Sequence, residues 1–314
     1  MDASLRALLA GIIDYAGLFP PASLALDPAI RQYAAHRAEP ESWMLARFVC
    51  PVARLAELDP YREPLFAAGA PLAVCALGRA SADRGAFLDA LAADLREIRA
   101  FLDRWDGRAL VPVYEVRAPD DLRGDEQRAG EAAGRALELV RSAALDLDLF
   151  IEVPLPAFGA VGAAAAAAHG LARAGAGFKL RTGGTERAAF PSAAQVAAAL
   201  IACRDAGARF KATAGLHHPL PRHDDATGAT MHGFLNVFGG AALAHAGGIR
   251  ADELGRILSA ADPGLFRFEG GELRCGSWRA SAAEIATARR ELALAFGSCS
   301  FDEPRDDLRA LGLF

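Results

Sequence analysis

Lysine is nearly absent from this 314-residue sequence. Of its 34 basic residues only Lys179 and Lys211 are lysines, and the rest are arginines. Cysteine is sparse as well. Cys50, Cys75, Cys203, Cys275 and Cys299 are widely scattered, odd in number and without a CxxC pair. That excludes a disulfide scaffold or a zinc knuckle and predicts reduced, buried thiols. No apolar run reaches about 18 residues before Arg, Asp, Pro or Gly breaks it, so no transmembrane helix and no membrane partner are expected. The opening stretch MDASLRALLAGIIDYAG lacks a basic segment ahead of its apolar part, and Asp2 and Asp14 flank it. A secretory signal is therefore not expected, and a cytoplasmic location is. Charge of one sign is lacking too: 34 basic residues face 39 acidic ones, a net charge of −5. Such a balance carries no electrostatic footprint for nucleic acid. The partners left are a small anionic substrate and further copies of the chain in a homo-oligomer.

What is present is a large apolar fraction, 53% of residues, enough to bury a sizeable core. Short apolar runs alternate with longer stretches whose apolar residues recur three and four apart. The runs Met44–Cys50, Pro71–Leu77, Leu110–Val116, Leu149–Pro154, Gly177–Thr182, Arg209–Thr213, Phe234–Phe238 and Leu294–Ser300 read as strands. Ala86–Leu102, Ala129–Ala144, Val161–Ala174 and Ala193–Ala206 read as helices between them. Strands alternating with helices of this size argue for βα units and a parallel sheet. Eight such units predict a closed (β/α)8 TIM-type barrel in the α/β class. An open doubly wound sheet would carry a Gly-rich turn after its first strand, where this chain has Pro51-Val52-Ala53-Arg54. With no composition break to mark a linker, residues 44–314 are expected to form one barrel domain. Residues 1–43 are expected to be a helical extension that caps it. A hairpin insertion is expected at about 265–278, turning at Gly270-Gly271 before the last strand and serving as a lid or subunit contact.

Strand alternation places the polar residues. In the fifth expected strand Phe178 and Leu180 share one face, and Lys179 and Arg181 share the other. The sixth repeats this, with Phe210 and Ala212 outward and Lys211 and Thr213 inward. Glu152 is inward on the fourth. Glu152, Lys179, Arg181, Lys211 and Thr213 thus gather around one volume, near the strand ends where barrels hold their active sites. A bare positive charge in this chain would be supplied by Arg. A lysine amine, unlike a guanidinium, can lose its proton and attack a carbonyl. The lysine pair is accordingly read as catalytic, with neighbouring cations lowering the pKa of the nucleophile and Glu152 moving protons. The same set also reads as an anion pocket, with Lys179, Arg181 and Lys211 clamping a carboxylate or phosphate.

The segment Phe210-Lys211-Ala212-Thr213-Ala214-Gly215 resembles the strand-six Schiff-base motif of class I aldolases of the deoxyribose-phosphate aldolase type, hydrophobic-Lys-x-Ser/Thr-x-Gly. That group carries a second lysine about one βα unit away. The resemblance implies a Schiff base at Lys211 and a tuning cation at Lys179. It covers some 40 residues, about one βα unit. Here the second lysine precedes the motif instead of following it.

Histidines form another constellation. His217, His218, His223 and His232, four of the seven, follow the sixth expected strand closely. His217 and His218 are candidate acid/base catalysts, and His232 a candidate substrate contact. No HExxH signature or HxH on the first strand is present, so no cofactor is expected from motifs. A divalent metal on Glu152, His217 and His218 is the alternative. Arg181-Thr182-Gly183-Gly184 could present backbone N–H groups to an anion or could simply form a tight turn. Asn236, inward on the seventh expected strand, could orient a carbonyl. Arg47 and Glu115 are further inward residues. Cys299 has no histidine tied to it by sequence and reads as a buried structural thiol. The expected function is an enzyme acting on a small anionic oxo-compound by Schiff-base chemistry, an aldolase-like lyase. The alternatives are a metal-dependent hydrolase, isomerase or lyase using Glu152 with His217, His218 and His232, and a non-catalytic barrel that binds an anionic metabolite.

Overall fold

The computed structural model describes residues 1–66, 69–119, 126–153 and 162–314. Eight parallel strands close into a barrel: β1 (Ile13–Tyr15), β2 (Leu45–Pro51), β3 (Leu72–Leu77), β4 (Ala109–Arg117), β5 (Asp148–Glu152), β6 (Gly177–Arg181), β7 (Phe210–Thr213) and β8 (Ala293–Ser298). Each strand pairs with its sequence neighbour, and β8 closes the ring on β1. Helices such as Arg84–Trp105, Glu126–Ser142, Gly162–Ala174 and Ala193–Ala206 wrap the outside. The (β/α)8 class is as expected, and so are seven of the strands. Pro154 and Val161, at the edges of two expected elements, lie outside the described residues.

The eighth strand differs. Phe234–Phe238 is the start of a helix, Phe234–Gly247, with Gly233 at its N-cap. Every residue from Phe234 to Ala244 is buried. A helix that is apolar all round shows neither a 3.6 nor a 2.0 period, so its short apolar run mimics a buried strand. The missing strand is β1, inside the segment expected to be a cap. Three residues are too few for alternation to be read. Its Tyr15 side chain buries against the second N-terminal helix, Leu26–Arg37, where the ring stacks 5.9 Å from Tyr33. The barrel therefore begins at Ile13 and not at residue 44.

The first helix, Ala3–Leu9, packs against Ala282–Glu291. Asp2 caps it through the Ser4 N–H and also accepts the Gly271 N–H at 3.0 Å. This ties the N-terminus to the expected hairpin. Gly270 and Gly271, with φ of 63° and 79°, make its two-residue turn between Arg267–Glu269 and Glu272–Cys275. Such left-handed backbone is what glycine permits. A third strand, Trp278–Ser281, extends the insertion.

Two apolar regions hold the molecule. The larger lies between strands and helices. The smaller fills the barrel interior with Val49, Cys75, Val113 and Phe150, and Ala16, Phe19 and Leu294 pack against it. Among the described residues no helix is long and apolar enough to cross a membrane.

Candidate active site

The inward side chains beside that apolar plug form a chain of alternating charge. Arg47 on β2 donates to Asp14 Oδ1 on β1 at 3.0 Å. Asp14 Oδ2 accepts from Lys211 Nζ on β7 at 2.5 Å. Lys211 Nζ is also 2.5 Å from Glu115 Oε1 on β4, whose Oε2 is 2.8 Å from Lys179 Nζ on β6. Lys179 Nζ continues to Glu152 Oε2 on β5 at 3.1 Å, and Glu152 Oε1 accepts from Arg181 Nε at 3.4 Å. Strand register sets this order: Glu152 pairs with Lys179, and Lys179 with Lys211. Period-two alternation then points all three into the barrel. The Cys75 thiol lies 3.6 Å from Lys211 Nζ, and the Phe150 ring lies beneath that amine at 5.6 Å.

Burial grades along the chain. Lys211 is wholly buried and Lys179 is 4% exposed, whereas the Arg181 side chain is 53% exposed. Burial alone would push the ammonium groups down and the carboxyls up. The alternating partners outweigh it. Asp14 and Glu115 hold Lys211 above the ordinary lysine range, and Glu115 and Glu152 do the same for Lys179. The two lysines hold Glu115 well below the usual carboxylate range, and Lys179 with Arg181 lowers Glu152. The expected depression of the Lys211 pKa by neighbouring cations is therefore not found, because its nearest charges are carboxylates.

The other expected residues divide. Thr213 faces the same interior, its Oγ1 alongside Gly297 on β8. The Thr182 hydroxyl is taken up by the carbonyls of Ala214 at 2.5 Å and Thr213 at 3.2 Å. At Gly183 an added Cβ would come within 2.8 Å of the Gly215 Cα, so the turns after β6 and β7 touch backbone to backbone. A Cβ at Gly184 would meet Ala189. These contacts account for the glycines by packing. Asn236 sits on the helix behind the barrel, where its amide donates to the Ile257 and Ala260 carbonyls at 2.7 and 2.8 Å. It faces no substrate carbonyl, because its segment is not a strand.

Two of the histidines, His217 and His218, turn toward the C-terminal helix Asp302–Ala310. His217 Nδ1 is 3.1 Å from Glu303 Oε2, and His218 Nδ1 is 2.6 Å from Asp307 Oδ2. His232 Nε2 donates to the Pro191 carbonyl at 2.7 Å, and burial lowers its pKa. Glu152, His217 and His218 do not converge. Among the described residues the groups whose ligand atoms could share one ion are Asp14 with Cys75 and Glu115, and His36 with Glu39 and Asp302. The first surrounds the Lys211 ammonium, which already fills the place of a cation. The alternative metal set of Glu152, His217 and His218 is thus not assembled among the described residues.

Asp14 and Cys75 join the candidate site although no sequence pattern singles them out, and Arg47 and Glu115 are more central to it than inward parity alone implies. Inward parity was the available signal, and for Asp14 it required recognising β1 first.

No family model matches the sequence, nor does any curated relative. Among solved structures the chain is similar to a deoxyribose phosphate aldolase from Aeropyrum pernix described as having a unique tetrameric structure. The TM-score is 0.53 at 11% identity, over 99% of this chain and 98% of that one. It is equally similar, at a TM-score of 0.53 and 13% identity, to a protein from Toxoplasma gondii ME49 assigned as a deoxyribose-phosphate aldolase, over 98% of this chain and 96% of that one. At such identities the likeness is one of fold: a TIM-type (β/α)8 barrel whose neighbours include barrels of the aldolase type that the lysine motif resembles.

Proposed function

We propose that this chain is an aldolase-like lyase that acts on a small anionic oxo-compound through an imine on one of its two lysines. The observation that carries this is the bridge. The two lysines of the chain stand in register on β6 and β7, and one buried carboxylate, Glu115, holds both amines. A lysine needed only for charge could be Arg in this composition; a lysine beside a carboxylate can pass its proton on.

The resemblance put the imine on Lys211, taken as the strand-six lysine. Counting β1 moves Lys211 to the seventh strand and puts Lys179 on the sixth. Lys179 then comes first and the second lysine follows, in the order the aldolase motif has. Burial supports the same choice. Lys211 is enclosed by Asp14, Glu115 and Cys75, whereas Lys179 reaches Glu152 and, through it, the half-exposed Arg181.

In this reading Lys179 gives up its proton toward Glu115 or Glu152 and attacks the substrate carbonyl carbon. The carbonyl oxygen leaves as water, and the cationic imine accepts the electron pair of the breaking C–C bond. The β-hydroxyl proton goes to a carboxylate as the aldehyde departs. Arg181, outermost and held by a single 3.4 Å contact, is the cation for the substrate's anionic group.

The test is borohydride trapping with a panel of oxo-acids and sugar phosphates, followed by peptide mapping. A reduced adduct is expected on Lys179, absent from Lys179→Met, which loses about a thousandfold or more in turnover. An adduct on Lys211 returns the imine to that residue. No adduct on either amine removes the imine reading.

A further inference from the structure

One aromatic side chain that packs into the barrel interior comes from a loop and not from a strand. The chain turns back as soon as it leaves β1. The Ala16 N–H donates to the Ser298 carbonyl at 2.6 Å, and the Phe19 N–H to the Ala16 carbonyl at 2.9 Å. The Phe19 carbonyl then accepts from the Ser23 N–H, and the Gly17 carbonyl from the Leu24 N–H, both at 2.9 Å. At Gly17 an added Cβ would come within 2.4 Å of the Tyr15 hydroxyl, so only glycine fits this turn. The turn sets the half-buried Phe19 side chain on the apolar plug of Val49, Cys75, Val113 and Phe150. A loop that follows a barrel strand lies at the end where barrels admit substrate.

That plug borders the lysine network. Its Cys75 thiol is 3.6 Å from Lys211 Nζ, and its Phe150 ring lies under the same amine. The plug side chains stand on β2, β3, β4 and β5, and Phe19 reaches them from beyond β1. One half of the ring is therefore closed by apolar groups. The open half is marked by Arg181 on β6, which stands across the ring from β2 and is the exposed end of the network. A compound whose anionic group rests on Arg181 and whose carbonyl meets Lys179 extends its uncharged end toward Phe19.

We propose that Phe19 gates the lysine site and limits the uncharged end of the substrate, so that the substrate is a short, unbranched oxo-acid. This role presupposes the imine reading given above. Phe19 makes and breaks no bond; it acts through the volume of its ring. A longer or branched chain has to displace that ring from the plug and forfeits its packing there. In an apolar pocket one added methylene alone changes discrimination by about tenfold or more.

The experiment traps the full chain with borohydride on pyruvate, 2-oxobutanoate, 2-oxopentanoate and phenylpyruvate and maps the adduct. In wild type the trapping rate is expected to fall about tenfold or more from pyruvate to phenylpyruvate, and Phe19→Ala should flatten that fall to within about threefold. Phe19→Leu should lie between them. Equal selectivity in wild type and Phe19→Ala overturns the gate and leaves the imine in place. An adduct on neither lysine removes the imine reading and, with it, the choice of substrate by Phe19. A second readout needs no imine. Methyl methanethiosulfonate should label Cys75 about tenfold faster in Phe19→Ala, because access limits the reaction of a buried thiol. Cys203, buried on the outer helix Ala193–Ala206, is the control. Its rate should not change, and a thermal melt establishes that the variant is folded. Labelling of Cys75 at the wild-type rate overturns the gate whatever the trapping gives.

Discussion

At the C-terminal end of the barrel Lys211 is enclosed by two carboxylates, Asp14 and Glu115. At the opposite end Arg289 is also buried but donates only to main-chain carbonyls: Ala293 and Leu294 at the start of β8, and Ala10 and Gly11 just before β1, the last two at 3.1 and 3.4 Å. Its guanidinium lies 5.3 Å over the Phe238 ring. Burial pushes Arg289 down to about 9, whereas the carboxylates around Lys211 push it up. The two ends bury a cation for different ends. A guanidinium bound to carbonyls cannot exchange its proton with them, so it pins β1 to β8 and does no more. A lysine bound to carboxylates shares protons with groups that titrate. The fixed interior charge of Arg289 rests on main-chain carbonyls, whereas both lysines rest on carboxylates, groups that can take up a proton.

The largest effect expected on stability comes from Glu115→Gln. It takes one of two carboxylates from each buried ammonium, leaving Asp14 on Lys211 and Glu152 on Lys179, and breaking a buried ion pair from one side costs about 3–5 kcal/mol. Urea unfolding at pH 7 measures it. A loss below about 1 kcal/mol would mean that Lys179 and Lys211 are not held by this carboxylate, and the contrast with Arg289 fails. Acid gives the matching signature. Glu115 is lowered from an ordinary value of 4.5. Its contribution is complete above that value and drains away as pH falls below it. Wild type should lose stability steeply there, and Glu115→Gln less so.

Arg289→Met should cost less, about 2–3 kcal/mol, because it leaves buried carbonyls unpaired without stranding a charge. The loss should not vary between about pH 5 and pH 8, since no partner titrates in that range. Arg289→Lys should recover only part of it, because one ammonium lacks the planar fork that spans carbonyls of two segments. Denaturant unfolding across that pH range checks both. A pH-dependent loss would make the lower end of the barrel resemble the upper one.

The upper site was half legible. Glu152, Lys179, Arg181, Lys211 and Thr213 sit on strands long enough for alternation to show, with Phe178, Leu180, Phe210 and Ala212 marking the outward face. Asp14 was hidden because Ile13–Tyr15 is a three-residue strand whose partners, Phe296–Ser298 and Leu45–Phe48, are far away in sequence. Short strands are fixed by tertiary pairing and not by local pattern. Asn236 failed for the converse reason: a local pattern was present but came from a buried helix. The His217–Glu303 contact joins residues 86 positions apart through the closure of β8 onto β7, which no spacing rule reveals. The direction of the lysine pKa shift depended on Asp14 and Glu115 as well, so missing one and underweighting the other reversed it.

The smallest effect sharpens the contrast within the network itself. Arg181 is its exposed end, and an exposed ion pair contributes little to folding. Arg181→Leu should leave the unfolding free energy within about 0.5 kcal/mol of wild type. If its guanidinium holds the anionic group of the substrate in both ground and transition states, the same change raises KM about tenfold and leaves kcat within about twofold. Arg181→Lys should recover part of that, because a point charge replaces charge but not a two-pronged hydrogen bond. Initial rates on whichever compound traps at the lysine pair decide it, with a neutral analogue as control. A fall in kcat at constant KM would place Arg181 with Lys179 in the transition state. An unchanged KM and kcat would leave Arg181 as a solvated charge and move the anion contact elsewhere.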